Sequence, residues 1–418
     1  MGPRMSSLFP APVIHGLAIA IFLLTYLGVA LGRLPGLRLD RTGVAFVGGV
    51  LMIGCGALTL KQAYAAIDFD TIALLLGMMV LAGTLRRAGF FQLVTAAALK
   101  RARSPIALLA AVIGVSGVLS AVLVNDTICV VLTPLVLEIV LAAGVAPLPY
   151  LIALAAASNV GSVATITGNP QNIIIGSVSG LSYARFSGAL VPVALAGLVV
   201  VFGVIALMWR GRLKQGDAPE AMGHPATVHR ALIVKALLLL GFFVAACLRG
   251  MIPAEAALIA AALILLTPGM KSESLIAGVD WPLLLMFAGL FVVVAGMQRA
   301  VITPAVVQRI AAMDPGRPFV LVPVTAILAN VVSNVPAVLV LKPFVAALSD
   351  PRRAWLIVAM AATFAGNFTL LGSVANLIVA ERARAGGVAI GFGDYLRAGI
   401  PITLISLILG TVWLVYVA

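Results

Sequence analysis

The sequence predicts an all-α polytopic membrane protein built from two inverted repeats, each with a re-entrant hairpin and a broken transmembrane helix. Of the 418 residues, 62% are hydrophobic and 10% are charged, whereas soluble domains carry roughly 25% charged residues. Apolar runs long enough to cross a bilayer recur along the whole chain. Polar, helix-breaking motifs interrupt some of these runs, and the motifs recur in the same order in both halves.

The apolar runs predict ten membrane spans, at residues 12–32, 43–60, 68–85, 150–178, 184–208, 231–248, 253–268, 280–297, 354–380 and 398–417. The first run is longer than the core of a signal peptide and has no convincing cleavage site, so we expect a retained span. Two further apolar segments, 104–141 and 318–348, carry polar residues at their centres. We predict that each enters and leaves the membrane on one side as a re-entrant hairpin.

The net charge of +13 comes from Lys and Arg residues that lie between the apolar runs. Membrane topology accounts for basic residues in such places, so we expect no nucleic-acid partner. The larger share of these residues, including Arg41 in the loop 33–41, lies on one side, which becomes the cytoplasm and leaves both termini outside. The three cysteines, Cys55, Cys129 and Cys247, have no metal-ligand spacing and are interpreted as packing residues.

Three pairs of segments indicate an internal repeat. The segment "IDFDTIALLLGMMVLAGTLRRAGFF" (67–91) resembles "VDWPLLLMFAGLFVVVAGMQRAVI" (279–302), and "LVNDTICVVLTPLVL" (123–137) resembles "VSNVPAVLVLKPFV" (332–345). The third pair is "TITGNPQNIII" (165–175) and "TLLGSVANLIV" (369–379). It aligns Thr165, Gly168 and Asn172 with Thr369, Gly372 and Asn376.

The predicted topology places Asp68 outside and Asp280 inside, so the two repeats have opposite orientations, a layout found in many secondary transporters. The predicted organisation is an N-terminal half (1–209), a cytoplasmic linker (210–230) and a C-terminal half (231–418). The alternative is that both halves merely reuse residues that are common in membrane helices.

The polar breaks predict four helix starts at membrane depth. Asn169 is interpreted as an N-cap and Pro170 as the first residue of a new half-helix, while Gly168 permits the turn. Ser373 takes the cap position in the second repeat, and the two hairpin tips begin the other half-helices. Helix starts carry partial positive charge and exposed amides, which suit an oxyanion. The predicted substrate-binding residues are Asn125, Asp126, Thr127, Thr165, Thr167, Gly168, Asn169, Asn172, Ser333, Asn334, Thr369, Gly372, Ser373 and Asn376. A Pro kink with Ser and Thr side chains that serve helix packing is the structural alternative.

Asp126 is the candidate for ion coupling, because a carboxylate at membrane depth is costly and indicates function. Burial favours the protonated form of a carboxyl group, so Asp126 is expected to carry a proton through a transport cycle. A role as the cap of the second hairpin helix is compatible with this one.

The segments "NDTICVVLTPLVL", "SNVGSVATITGNPQN", "NVVSNVPAVLVLKP" and "GNFTLLGSVANLIVAE" resemble the signature regions of the ion transporter superfamily. The resemblance is nearest to the branch of arsenical-pump membrane proteins and CitM-like anion permeases, which is related to the divalent anion/sodium symporters. It implies a scaffold part, a transport part that moves against it, and often a homodimer. In the dicarboxylate symporters each hairpin tip has Ser-Asn-Thr. Here the tips are Asn-Asp-Thr (125–127) and Ser-Asn-Val (333–335), which favours proton coupling over sodium-coupled dicarboxylate transport.

The predicted function is a secondary active permease for a small anion, driven by a proton gradient or another ion gradient. Arsenite or antimonite efflux and sodium/proton antiport are the alternatives. A channel instead of a carrier is a further alternative. An enzyme is not expected, because the acid/base, nucleophile and metal constellations that catalysis needs are missing from the sequence pattern. We expect no cofactor and no bound metal beyond a coupling H⁺ or Na⁺. The chain has no ATP-binding motif, so an arsenical pump would need an ATPase partner subunit. The expected location is the cell (inner or plasma) membrane, as a multi-pass protein.

Overall fold

The computed structural model describes residues 10–31, 39–102, 104–211, 213, 228–267, 271–300, 308 and 316–417. Within these residues the chain forms nineteen α-helices. In chain order they are α1 (Ala11–Leu31), α2 (Arg41–Gly54), α3 (Leu60–Ala66), α4 (Phe69–Arg87), α5 (Phe90–Arg101), α6 (Pro105–Val122), α7 (Asn125–Ala142), α8 (Pro147–Ser162), α9 (Pro170–Val178), α10 (Tyr183–Met208), α11 (Arg230–Leu248), α12 (Pro253–Leu265), α13 (Ser272–Ile276), α14 (Trp281–Ala300), α15 (Pro318–Val332), α16 (Asn334–Val345), α17 (Pro351–Ala365), α18 (Val374–Ala385) and α19 (Phe392–Tyr416).

The predicted fold class is confirmed: this is an all-helical, multi-pass membrane protein. Eight of the described helices are long and apolar enough to cross a membrane, namely α1, α4, α6, α7, α10, α11, α14 and α19. The helices α2, α12, α15 and α16 are shorter but also apolar. Large apolar side chains such as Leu24, Val199, Leu238 and Ile408 are exposed on the outside of the molecule. A bilayer, unlike water, solvates such a surface without penalty.

Several predicted spans are divided in the structure. The segment 43–60 forms α2, which ends at Gly54, and the short helix α3 begins at Leu60. The sequence Gly54-Cys55-Gly56 favours a turn there, because glycine adopts turn conformations at little cost. The predicted broken spans are α8 with α9 and α17 with α18, and the predicted hairpins are α6 with α7 and α15 with α16.

Helices of the first half pack directly against helices of the second half. α2 contacts α14, α4 contacts α12, and α10 contacts α19. At the first of these interfaces the backbones approach so closely that a Cβ on Gly289 would lie 2.6 Å from the carbonyl oxygen of Ala45. Small residues allow such approach in membrane helices, where dispersion contacts rather than water exclusion hold helices together. The two repeats therefore form one interlocked body.

The predicted linker 210–230 lies mostly outside the described residues. Among its described residues, His229 donates a backbone hydrogen bond to the carbonyl oxygen of Ala88 at 3.1 Å, just before α11 begins. The basic positions Arg33 and Arg38 of the loop 33–41 also fall outside the described residues. The division of the chain into two halves at this linker stays a prediction.

Candidate functional site

The break between α8 and α9 is built as the sequence predicts. The Asn169 side chain accepts a hydrogen bond from the Asn172 backbone N–H at 2.8 Å, and Pro170 is the first residue of α9. A Cβ on Gly168 would lie 2.1 Å from the Ser162 carbonyl oxygen, so this position requires glycine. The Asn172 amide donates to the carbonyl oxygens of Ser162 and Thr165 at 3.1 and 3.0 Å. These bonds satisfy carbonyls that the break leaves without helical partners.

The break between α17 and α18 repeats this construction. Ser373 caps α18 by accepting from the Ala375 backbone N–H at 3.2 Å. The Asn376 amide donates to the carbonyl oxygens of Gly366 and Thr369 at 2.7 and 3.1 Å. Asn376, Gly366 and Thr369 occupy the positions that Asn172, Ser162 and Thr165 occupy in the first repeat. The matched asparagines thus perform the same structural task in both halves.

Asn159, in the buried interior of α8, joins the first repeat to the second. Its Oδ1 accepts from the Asn125 amide at 3.1 Å and from the Ser373 hydroxyl at 3.0 Å. Its Nδ2 donates to the Oδ1 atoms of Asn367 and Asn376 at 2.8 and 2.9 Å. One side chain therefore uses its full hydrogen-bonding capacity and ties the first hairpin tip to the second broken helix.

Thr363, the counterpart of Asn159 in the second repeat, makes the reciprocal connection. Its hydroxyl oxygen accepts from the Asn169 amide at 3.3 Å and from the Gln171 amide at 3.0 Å. Both donors belong to the start of α9 in the first repeat. Each half therefore holds the broken helix of the other half, as a pseudo-two-fold relation between inverted repeats requires.

The two hairpin tips lie inside the protein. Asn125 donates its backbone N–H to the Gly168 carbonyl oxygen at 2.9 Å, which fixes the first tip to the first helix break. Asn125 is 3% exposed and Asn334, at the second tip, is 8% exposed. Within the described part of the chain, the Oδ1 atoms of both residues have no hydrogen-bond partner. Buried amide oxygens without partners are costly. At each tip, the Oδ1 atom is therefore an unused hydrogen-bond acceptor.

Ser333 holds a rare backbone conformation at the second tip. Its φ of 76° and ψ of 159° lie in a region that is essentially restricted to glycine. It is the one non-glycine residue with positive φ among those described. Such strain persists where the surrounding structure enforces it, and it concentrates at functional sites.

The tips and the helix breaks line a single cavity that leaves about 50 Å³ for the centres of water-sized molecules. Side chains from α1, α2 and α14 close its other wall. The lining residues are Val29, Arg41, Asn125, Asp126, Pro170, Gln171, Leu283, Met286, Phe287, Leu290, Ser333, Asn334, Val335, Pro336, Ser373 and Val374. The N-terminal residues of α7, α9, α16 and α18 all belong to this set, so four helix starts converge on one space. Their dipoles favour negative charge there.

One base and one acid line this cavity. Arg41 begins α2, and Asp126 lies in the first turn of α7. The Arg41 guanidinium interacts electrostatically with Asp126 and with Glu381 of α18. Asp280, just before α14, also interacts with Asp126. The cavity therefore combines helix dipoles, one guanidinium and a carboxylate that is half-buried.

The predicted site residues fall into two groups. Asn125, Asp126, Ser333, Asn334 and Ser373 line the cavity. The others are placed behind it or around the helix breaks: Thr127, Thr165, Thr167, Gly168, Asn169, Asn172, Thr369, Gly372 and Asn376. In this second group the hydroxyl of Thr165 donates to the Ala121 carbonyl oxygen, and the hydroxyl of Thr167 bonds Tyr183 at 3.2 Å. These hydroxyls face α6 and α10 rather than the cavity.

Sequence reasoning missed Arg41, Asn159 and Gln171 as site residues. The predicted loop 33–41 includes Arg41, although an Asp directly before an apolar run is a typical helix cap. Asp40 does cap α2, by accepting from the Gly43 backbone N–H at 2.8 Å. Asn159 carried a usable signal, since an amide inside an apolar helix needs a partner in the membrane. Gln171 follows Pro170 directly and had no separate signal.

Comparison with known proteins places the chain among membrane transporters. The family model described as citrate transporter, CitMHS, matches residues 20–352. An uncharacterized transporter of Mycobacterium tuberculosis is 29% identical over 422 residues, which cover 95% of this chain and 97% of the relative. The silicon efflux transporter LSI3 of Oryza sativa subsp. japonica is 29% identical over 474 residues, covering 96% and 97%. A Dictyostelium discoideum protein named as an arsB transporter is 25% identical over 511 residues, covering 93% and 89%.

The fold has a counterpart among solved structures. The Alcanivorax borkumensis YdaH transporter, whose crystal structure is described as having an unusual topology, matches with a TM-score of 0.61 over 97% of both chains. Sequence identity in this match is 17%. At that identity the likeness concerns the fold alone.

Proposed function

The chain belongs to the citrate transporter family CitMHS, and from that premise we propose that it is a secondary active transporter that carries a small anion across the cell membrane with proton coupling. The observation that carries this proposal is the cavity between the two hairpin tips. It gathers the starts of four helices and the guanidinium of Arg41 around one space. Backbone amides at helix starts and a guanidinium both bind carboxylate or oxyanion groups.

Asp126 supplies the coupling in this proposal. When the Asp126 carboxyl group is ionised, its negative charge weakens anion binding in the same cavity, because like charges at short range repel. A proton on Asp126 removes that repulsion, so proton binding and anion binding favour each other. The proton gradient then drives the anion in the direction in which protons flow.

Efflux of a neutral hydroxylated metalloid, such as arsenite or antimonite, is the second candidate. The observation that favours it is the pair of partnerless amide oxygens of Asn125 and Asn334, which can accept hydrogen bonds from hydroxyl groups. Relatives whose names refer to silicon efflux and to arsB add weight. For a neutral cargo, Arg41 and the helix dipoles would contribute much less to binding.

Transport by the purified chain in sealed vesicles distinguishes these candidates. Vesicles with an imposed pH gradient are assayed separately for uptake of labelled citrate, arsenite and antimonite, without ATP. Gradient-driven, saturable citrate uptake with counterflow supports the anion carrier, and metalloid flux alone supports the second candidate. Proton movement that depends on sodium, without either cargo, would instead reveal sodium/proton antiport. Flux that neither saturates nor shows counterflow would identify a channel and contradict the proposal.

The same vesicle assay tests whether the chain needs an ATPase partner subunit. Transport without ATP is expected because a gradient supplies the energy, and a requirement for an added ATPase subunit would contradict this part of the proposal. We further propose residence in the inner or plasma membrane and a homodimeric assembly. Fractionation of the native membrane and the mass of the protein in detergent test these two points.

A further inference from the structure

Arg41 is the one base among the described residues that line the central cavity, and Asp126 is the one acid. The two belong to different parts of the molecule. Arg41 begins α2, which packs against α1 and α14, whereas Asp126 lies in the first turn of α7, which packs against α8 and α18. Both side chains are half-buried, so both reach the cavity while remaining shielded from bulk water. Shielding strengthens their interaction relative to a pair at the surface.

Negative charge outnumbers positive charge around this guanidinium. Asp126 of α7 and Glu381 of α18 both interact with Arg41. Asp280, which precedes α14 and accepts from the Leu283 backbone N–H at 3.0 Å, interacts with Asp126. The buried thiol of Cys129 lies one helical turn behind Asp126 and also interacts with it. An anion that enters the cavity therefore meets one lining carboxylate and one guanidinium, and two further carboxylates outside the lining act on this pair.

We propose that Arg41 is the specificity-determining residue of the cavity, and that the transported anion and the Asp126 carboxylate compete for its guanidinium. This inference rests on the proposed anion transport and deepens it. With Asp126 ionised, Arg41 neutralises the protein's own carboxylate. With Asp126 protonated, Arg41 is available for the anion, and its planar fork of N–H donors suits an oxyanion or a carboxylate.

The exchange balances in protons, and in charge for the one oxyanion group that takes the place of the carboxylate. One proton binds a carboxylate oxygen of Asp126 as one oxyanion group takes its place beside Arg41. The proton leaves when the anion leaves, and no covalent bond to the cargo forms or breaks. Anion and proton therefore occupy the same state of the protein and cross together. A neutral metalloid has no charge with which to compete, so its binding would be indifferent to Arg41.

A double-mutant cycle in reconstituted vesicles tests the inference, with labelled citrate as the anion and arsenite as the neutral probe. The variants are Arg41→Gln, Arg41→Lys, Asp126→Asn and the double variant Arg41→Gln/Asp126→Asn. Arg185→Gln is the matched control, because Arg185 is exposed and lines a different groove near α19. Size-exclusion profiles and thermal unfolding verify that each variant is folded.

Arg41→Gln is expected to raise the KM for citrate at least tenfold, whereas Arg185→Gln leaves it unchanged. Arg41→Lys keeps the charge but not the planar fork, so an intermediate KM is expected. Asp126→Asn is expected to lower the KM for citrate at alkaline pH and to flatten its pH dependence. In the Arg41→Gln background the same Asp126→Asn change should lower the KM much less, because only the direct repulsion between the carboxylate and the anion then remains.

Two results would overturn the inference. One is an unchanged citrate KM in a folded Arg41→Gln protein, and the other is equal, additive effects of Asp126→Asn with and without Arg41. Absence of citrate transport in the wild type, with arsenite carried normally, removes the anion function and the inference together. Citrate transport in the wild type whose KM is unchanged in a folded Arg41→Gln protein removes the inference alone.

Discussion

Asn159 of the first repeat donates a hydrogen bond from its Nδ2 to the Oδ1 of Asn376 in the second repeat at 2.9 Å. Asn376 in turn donates to the carbonyl oxygens that the second helix break exposes. A single amide-to-amide contact thus links the interior of one broken helix to the break in the other. The geometry of the cavity depends on this link, because Ser373 and Asn125 are bonded to the same Asn159 side chain.

Replacing Asn159 with Ala is therefore expected to destabilise the protein by about 1–3 kcal/mol, because four buried polar partners lose their bonds at once. Thermal unfolding in detergent measures the effect. The matched variant Thr363→Val removes one hydroxyl that accepts from Asn169 and Gln171, and about 1 kcal/mol is expected for it. Equal stability of Asn159→Ala and the wild type would contradict the role assigned to this link.

Substitution of Asn334, at the second hairpin tip, and of Asn172, beside the first helix break, should have different effects on ligand binding and on stability. Asn334→Ala removes a cavity-lining amide whose Oδ1 has no partner among the described residues, so stability should change little while citrate-induced thermal stabilisation is lost. Asn172→Ala removes bonds to two carbonyls behind the cavity and should lower the unfolding temperature itself. A thermal-shift titration of both variants makes the comparison. If Asn334→Ala retains the full ligand-induced shift, the second tip does not contact the cargo.

The backbone strain at Ser333 can be separated from its hydroxyl. Ser333→Gly accepts the observed φ of 76° without a Cβ penalty, whereas Ser333→Ala keeps the strain and loses the hydroxyl. We expect the Gly variant to be more stable than the Ala variant by about 1–2 kcal/mol. Thermal unfolding of the two proteins provides the measurement. An Ala variant that is as stable as the Gly variant would show that the tip is unstrained.

The interface between α2 and α14 provides a packing test with an internal control. A Cβ on Gly289 would lie 2.6 Å from the Ala45 carbonyl oxygen, whereas a Cβ on Gly49 would lie 3.4 Å from the nearest atom, the Gly289 carbonyl oxygen. Gly289→Ala should force the helices apart, with a cost of about 1–3 kcal/mol. Gly49→Ala should be tolerated, since alanine also favours the helix. Folded yield and unfolding temperature are the observables, and equal losses in the two variants would contradict this account.

Much of the fold could be predicted because its signals are local. Asn169-Pro170 and Ser373 mark helix starts by their own chemistry, and the structure confirms both caps. That Asn172 and Asn376 are equivalent positions in the two repeats could be predicted from the repeated spacing alone. The predicted site residues that turn away from the cavity, such as Thr165 and Thr167, share the composition of those that line it. The direction of a side chain depends on neighbouring helices, which a local pattern does not encode.

By itself, the sequence determined that this chain is a membrane-embedded, twice-repeated transporter with two hairpins and two broken helices. Hydrophobic run length, caps and repeated motifs are properties of short segments, and a bilayer leaves few other ways to satisfy their backbones. Only the tertiary structure decided that Arg41 and Asp126 line the same cavity and that Asn159 joins both repeats. These contacts connect residues far apart in the chain, and they exist because the packing of α2 on α14 and of α8 between the halves brings them to one cavity.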